Sequence, residues 1–166
     1  MEILYNPNLG LTINGSTITW KMDRQKARDL LKSSYEEDNQ TFDMSEFFDR
    51  DEDNFDFSLN RDIYSGLTSE GDSIFMCYDK DDAFTQFEMH ENIYVLIADF
   101  RIYQDQPIAE ILNWVTSQDY AVTEVEPGNY AVAELKISFA SHDAMGGNGD
   151  GLSYFYASND ISHLID

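Results

Sequence analysis

One cysteine is present, Cys77, so no internal disulfide can staple the fold. Cations are scarce too: Lys+Arg number 10 against 32 Asp+Glu, a formal net charge of −22. Such a chain repels nucleic acid and anionic membrane surfaces, and neither is expected as a partner. No apolar run approaches the ~18 residues that a membrane-spanning helix needs. The first residues, Met1-Glu2-Ile3-Leu4-Tyr5-Asn6-Pro7, show no basic segment followed by an apolar one. No secretory signal is read there, and a cytoplasmic location is expected.

The usual marks of catalysis are missing as well. There is no G-x-S-x-G elbow, and no Lys-Ser/Thr follows the glycine-rich stretch 146–151 to make a phosphate loop. That stretch also falls out of step with a calcium β-roll repeat, since Asp150 comes one place early and the repeat occurs once. A mobile connection is the simpler reading. His90, His142 and His163 are not paired at metal-ligand spacing. Cys77 lies between Met76 and Tyr78 in an apolar strand, which favours a buried, inert thiol over a nucleophile. Asp49, Asp51 and Asp53 open like an EF-hand loop, but Asn54 stands where the turn glycine belongs and Asn60 where the closing Glu belongs. The acids are too many for any neighbouring pair to identify a catalytic dyad. No metal, cofactor or catalytic residue is therefore expected.

What is present is an aromatic content of 14% in 166 residues, enough for one packed core. Leu11, Ile13, Ile18 and Trp20 flank Asn14-Gly15 as in a hairpin. A helix follows, capped by Asp23 with Ala27, Leu30 and Leu31 on its apolar face, and ends near Ser33-Ser34. Strands are predicted at 61–65, 73–78 and 84–89, with a turn at 79–82. The apolar run 93–103 reads as one long central strand. A second helix over 107–118 carries Ile108, Ile111, Leu112 and Val115 at helical spacing, with Asp105 or Gln106 as its cap. Strands at 121–126, 130–133, 135–140 and 152–157 complete the chain.

The expected fold is a single α+β domain: one antiparallel sheet with two helices packed on it. The order of one helix followed by antiparallel strands occurs twice. Two similar halves, 1–92 and 93–166, are therefore expected to join into that sheet.

Residues 35–57 differ from the rest, mixing carboxylates with aromatics around a single cation, Arg50. They read either as a long surface loop or as a short helix around 44–48. Aromatic anchors ringed by charge are the chemistry of an interface with a basic protein. The candidate partner-binding residues are Glu36, Glu37, Asp38, Asp43, Glu46, Phe47, Asp49, Asp51, Glu52, Asp53 and Phe55.

Three stretches carry a resemblance. They are Ile18-Thr19-Trp20-Lys21-Met22-Asp23-Arg24-Gln25-Lys26-Ala27-Arg28-Asp29-Leu30-Leu31, Asn60-Arg61-Asp62-Ile63-Tyr64, and Ile74-Phe75-Met76-Cys77-Tyr78-Asp79-Lys80-Asp81. In these the chain resembles small acidic bacterial immunity proteins that partner polymorphic toxins. The resemblance implies stoichiometric inhibition of a toxin, often a nuclease or another basic enzyme, with no catalytic residues to carry over. The leading expectation is thus a non-catalytic inhibitor acting by steric and electrostatic occlusion. Its rivals are a peptide-binding adaptor, which an exposed, uncharged sheet edge would favour, and an enzyme whose site the sequence does not display.

Overall fold

A computed structural model describes residues 3–43, 56–68 and 70–165; for residues 42, 43 and 56–58 it describes the backbone alone. The chain is α+β and strand-rich, with two sheets in place of the single sheet expected. The strands are β1 (Ile3–Asn6), β2 (Gly10–Ile13), β3 (Ser16–Thr19), β4 (Glu36–Asp43), β5 (Asp56–Ser65), β6 (Ser73–Tyr78) and β7 (Phe84–Glu91). They continue as β8 (Tyr94–Ile97), β9 (Phe100–Tyr103), β10 (Thr123–Glu126), β11 (Asn129–Val132), β12 (Ile137–Ser141) and β13 (Leu152–Ser158). The two helices are α1 (Arg24–Leu31) and α2 (Ile108–Ser117).

The smaller sheet has the order β3-β2-β1-β8-β9, and the larger β10-β11-β12-β13-β7-β6-β5-β4. Each half of the chain feeds both. β4–β7 and β10–β13 form two antiparallel meanders that meet where β13 pairs antiparallel with β7. In the smaller sheet the halves meet through the parallel pair β1–β8. In each half a helix precedes an antiparallel meander, and the halves join in two sheets in place of the one expected.

Local chemistry explains the strand ends. Asn14 and Gly15 both take positive φ, as a two-residue hairpin with right-handed strand twist requires. At Gly10 (φ +124°) a Cβ would lie 2.3 Å from the Ile18 carbonyl, so only glycine fits between β1 and β3. The run 93–103 is not one strand. It folds back at Ala98-Asp99, with Ala98 at φ 53° and Ile97 opposite Phe100. An alanine at positive φ is a poor turn signal, which is why the apolar run masked a hairpin. Residues 36–43, expected in a loop or beside a short helix, form an edge strand.

One core lies between the sheets. Ile3, Leu11, Ile13 and Ile18 of the smaller sheet face Met76, Phe87, Phe139 and Phe155 of the larger. Tyr5 crosses between them, its ring 6.0 Å from Phe87 and its hydroxyl donating to the Leu135 carbonyl at 2.8 Å. α2 buries Ile108, Ile111 and Val115, each worth roughly 1.5–3 kcal/mol on transfer from water. Its N-cap is Pro107, with no side-chain cap; Asp105 turns instead to His142 Nε2 at 2.6 Å. α1 is capped as predicted by Asp23, whose carboxylate accepts from the Lys26 N–H at 3.0 Å. Its apolar face is slighter than the sequence implied: Ala27 is buried and Leu30 exposed. The glycine-rich loop between β12 and β13 is laced by backbone bonds from Gly147 N–H to the His142 carbonyl and from Asp143 N–H to the Gly149 carbonyl. It is a hydrogen-bonded turn system in place of a mobile connection.

Candidate interaction surfaces

β4 is the open edge of the eight-stranded sheet, and the residues described on it are almost all exposed. Strand alternation sends Glu37 and Asn39 to the inner side and Glu36, Asp38 and Gln40 to the outer. On the inner side lies a charged cluster that the sequence did not announce. Asp62 of β5 is fully buried and holds two arginines of α1. Its Oδ1 accepts from Arg24 Nη2 at 2.6 Å and from Arg28 Nη2 at 2.7 Å, and its Oδ2 from Arg28 Nε at 2.8 Å. Arg24 also donates to Asn39 Oδ1 at 3.0 Å and to the Arg61 carbonyl at 2.9 Å. Burial alone would raise the Asp62 carboxyl, but the hydrogen bonds and charges of Arg28 and Arg24 outweigh it and hold it below the usual range.

The cluster reaches the edge strand. Arg28 donates to Glu37 at 2.7 Å and lies 4.2 Å over the Tyr35 ring. On the outer side Arg61 holds Asp38 at 2.6 Å. Glu37 is held below its ordinary value first by the Arg28 hydrogen bond, and Asp38 by Gln40 and Arg61. Two of the proposed partner-binding carboxylates are therefore fixed in place and locally neutralised. Glu36 is exposed. Asp43 belongs to β4 by its backbone; Glu46, Phe47, Asp49, Asp51, Glu52, Asp53 and Phe55 lie outside the described residues. The same holds for the EF-hand-like run and the helix considered at 44–48.

The sequence did carry a signal for the cluster. Arg24 and Arg28 stand four apart on one helix face in a chain poor in cations, and both belong to the stretch that carries the family resemblance. Their partner Asp62 belongs to the second such stretch. These motif residues hold α1 to the sheet.

Both halves carry an excess of acids, 21 against 8 bases up to residue 92 and 11 against 2 beyond it. Ion pairs of lysine and arginine before residue 92 include Lys21–Asp79, Arg24–Asp62, Arg24–Asp82, Arg28–Asp62, Arg28–Glu37 and Arg61–Asp38. Residues 93–166 contain just Arg101 and Lys136 as Lys or Arg. They expose Asp119, Glu124, Glu126, Glu134, Asp143 and Asp150 to solvent.

Groups that could do chemistry sit on the outer face of the larger sheet. His90 Nε2 lies 3.2 Å from Glu88 Oε2, and Cys77 Sγ lies 4.0 Å from Glu88 Oε1. The carboxylate stands between thiol and imidazole, the wrong order for a base to activate a nucleophile. Burial first, and the Glu88 charge after it, push the Cys77 thiol up to about 12. Among the described residues no three His, Cys, Asp or Glu side chains are placed to share a metal ion. No helix among them is long and apolar enough to cross a membrane.

Compared with known proteins, the chain matches no family model, no curated protein and no solved structure.

Proposed function

We propose that the protein is a non-catalytic inhibitor of the immunity type that captures a basic protein, with a toxin domain as the intended target. The observation that carries this reading is the charge arrangement. Four of the eight cations before residue 93, Lys21, Arg24, Arg28 and Arg61, are held in internal pairs, and the excess of 32 acids over 10 bases extends over both halves: 21 acids against 8 bases up to residue 92, and 11 against 2 beyond it. A field of that sign raises the encounter rate of a cationic partner and rejects nucleic acid. β4 supplies the contact edge through its exposed Glu36, on a strand that Arg28 and Arg61 hold rigid through Glu37 and Asp38. The acidic and aromatic residues named within 43–55 are proposed to take part in the same contact.

The edge is exposed but charged. Charge on an edge strand blocks strand addition, so it favours this reading over the peptide-binding adaptor.

The test is affinity capture with the full chain, then stopped-flow association with the purified partner. The partner should be basic. Association should slow about tenfold or more from low to physiological salt while dissociation changes little, because the Debye length falls to about 8 Å. A neutral or acidic partner, or an association rate indifferent to salt, would defeat the proposal.

A further inference from the structure

Across the outer face of the eight-stranded sheet, leading inward from β5, runs a row of rings in contact. The Arg61 guanidinium of β5 lies 4.7 Å over the Phe75 ring of β6. Phe75 lies 5.1 Å from the His90 ring of β7, His90 lies 4.8 Å from Tyr154 of β13, and Tyr154 lies 6.5 Å from Tyr156. The register explains the row: Phe75 and Tyr156 both stand opposite Glu88, so successive strands deliver their outward side chains side by side. Phe75, His90 and Tyr154 are half-buried, each keeping part of its surface in solvent.

The row ends in a cavity of about 360 Å³ between the sheet and the C-terminal turn at Ser162–Leu164. Its lining is Gln86, Asn129, Ser138, Tyr154, Tyr156 and His163, together with Leu164. None of these is a carboxylate, in a chain with 32 acids. The two carboxamides are oriented by their neighbours. Gln86 Oε1 accepts from the Tyr156 hydroxyl at 2.9 Å, and Asn129 Oδ1 accepts from the Ser138 hydroxyl at 3.0 Å. Each amide oxygen keeps a second lone pair, and each side chain carries an –NH2 donor besides; that of Gln86 is hydrogen-bonded to the Cys77 thiol, a weak acceptor.

We infer that this face is a second binding site, and that its ligand is an uncharged carbohydrate. Ring faces accept the C–H faces of sugar rings, and fixed carboxamide donors accept hydroxyl oxygens at their edges. A row of rings leading into one pocket suits several sugar units in line. The charge of the molecule sets the class. At −22 an anionic ligand, nucleic acid included, is driven off, while a neutral one is unaffected. The row itself carries one charge of each sign, Arg61 at one end and Glu88 beside His90, and the pocket at its other end holds no carboxylate, so a cationic ligand finds no net attraction along it. The site is independent of the inhibitor reading.

The full chain, labelled with nitrogen-15, is titrated with maltohexaose, cellohexaose and chitotriose, with an oligogalacturonate as the anionic control. At least one neutral sugar should shift the side-chain –NH2 signals of Gln86 and Asn129 in a saturable way, and the anionic control should not. Raising salt from about 50 to about 500 mM should leave the affinity unchanged, because no charge is paired. Tyr154→Ala should weaken binding about tenfold through loss of a stacked ring. Gln86→Glu, nearly isosteric, should weaken it comparably while the melting temperature holds, which separates recognition from folding. The inference is overturned if none of these sugars moves the two carboxamide signals at about 10 mM, weak even for a millimolar site. It is equally overturned if the shifts map elsewhere, or if an uncharged peptide binds the row where the sugars do not.

Discussion

The two meanders of the larger sheet share an order and differ in what pins a helix beside them. Under α1, β5 presents a buried carboxylate, and the helix answers with Arg24 and Arg28. α2, which precedes the second meander, docks by apolar contact: Ile108, Ile111 and Val115 are buried, Leu112 packs against the core, and Trp114 stacks on Phe100 at 4.4 Å. The lesson concerns charge. The first half uses its scarce cations to attach a helix whose apolar face is nearly absent, and so comes close to local neutrality at its β4 edge. The second half needs no cations for its packing and leaves its carboxylates to solvent. The compensation is local to the α1–β4–β5 cluster: both halves remain acidic, with 21 acids against 8 bases up to residue 92 and 11 against 2 beyond it.

The comparison breaks most sharply if α2 is forced to carry charge without partners. Ile111→Asp places a carboxylate at a site with no exposure, and the chain should fail to fold by circular dichroism. An unchanged melting curve would refute the docking of α2. Next in size, Asp62→Ala leaves Arg24 and Arg28 facing each other without their carboxylate. Urea unfolding should show a loss of about 3–5 kcal/mol. A loss below about 1 kcal/mol would mean that α1 is held by something other than the cluster.

Acid sharpens the contrast further. The Asp62 carboxyl is held below its ordinary value, so its contribution is complete above about pH 4, the unfolded value, and fades as pH drops through the lower folded one. Amide protection in β5 should therefore fall before that in β12 as the solution is acidified. The reverse order would show that the cluster is not what holds the first meander. The smallest effect is expected at Glu36→Gln, where stability should stay within about 0.5 kcal/mol because the side chain is exposed. Glu37→Gln, which abandons Arg28, should cost measurably more in the same assay.

Much of this architecture was legible from residue pattern. The Asn14-Gly15 hairpin, the Asp23 cap, the alternation of Ile74, Met76 and Tyr78, and the stripe of α2 all follow local rules, and the structure obeys them. Where reading failed, the cause was long-range. Ala98 makes a turn because β8 and β9 pair, not because alanine favours one. Residues 36–43 are acidic and irregular in pattern; they become a strand because β5 offers a partner along their whole length. Their carboxylates looked free because the arginines that hold Glu37 and Asp38 lie on α1 and β5. The row from Arg61 to Tyr156 is drawn from four strands, and no single stretch of sequence contains it.

The interleaving of the sheets bears on how the chain is made. β7, with Phe84, Phe87 and Met89, has one edge with no partner until β13, the last strand, arrives. β1 likewise waits for β8. During synthesis the first half therefore emerges with a strand edge open in each sheet, and neither closes until its distant mate leaves the ribosome. Pairings that span so much chain are slow to form. Over that interval the dense negative charge has a second use, since growing chains that repel one another are kept from joining edge to edge.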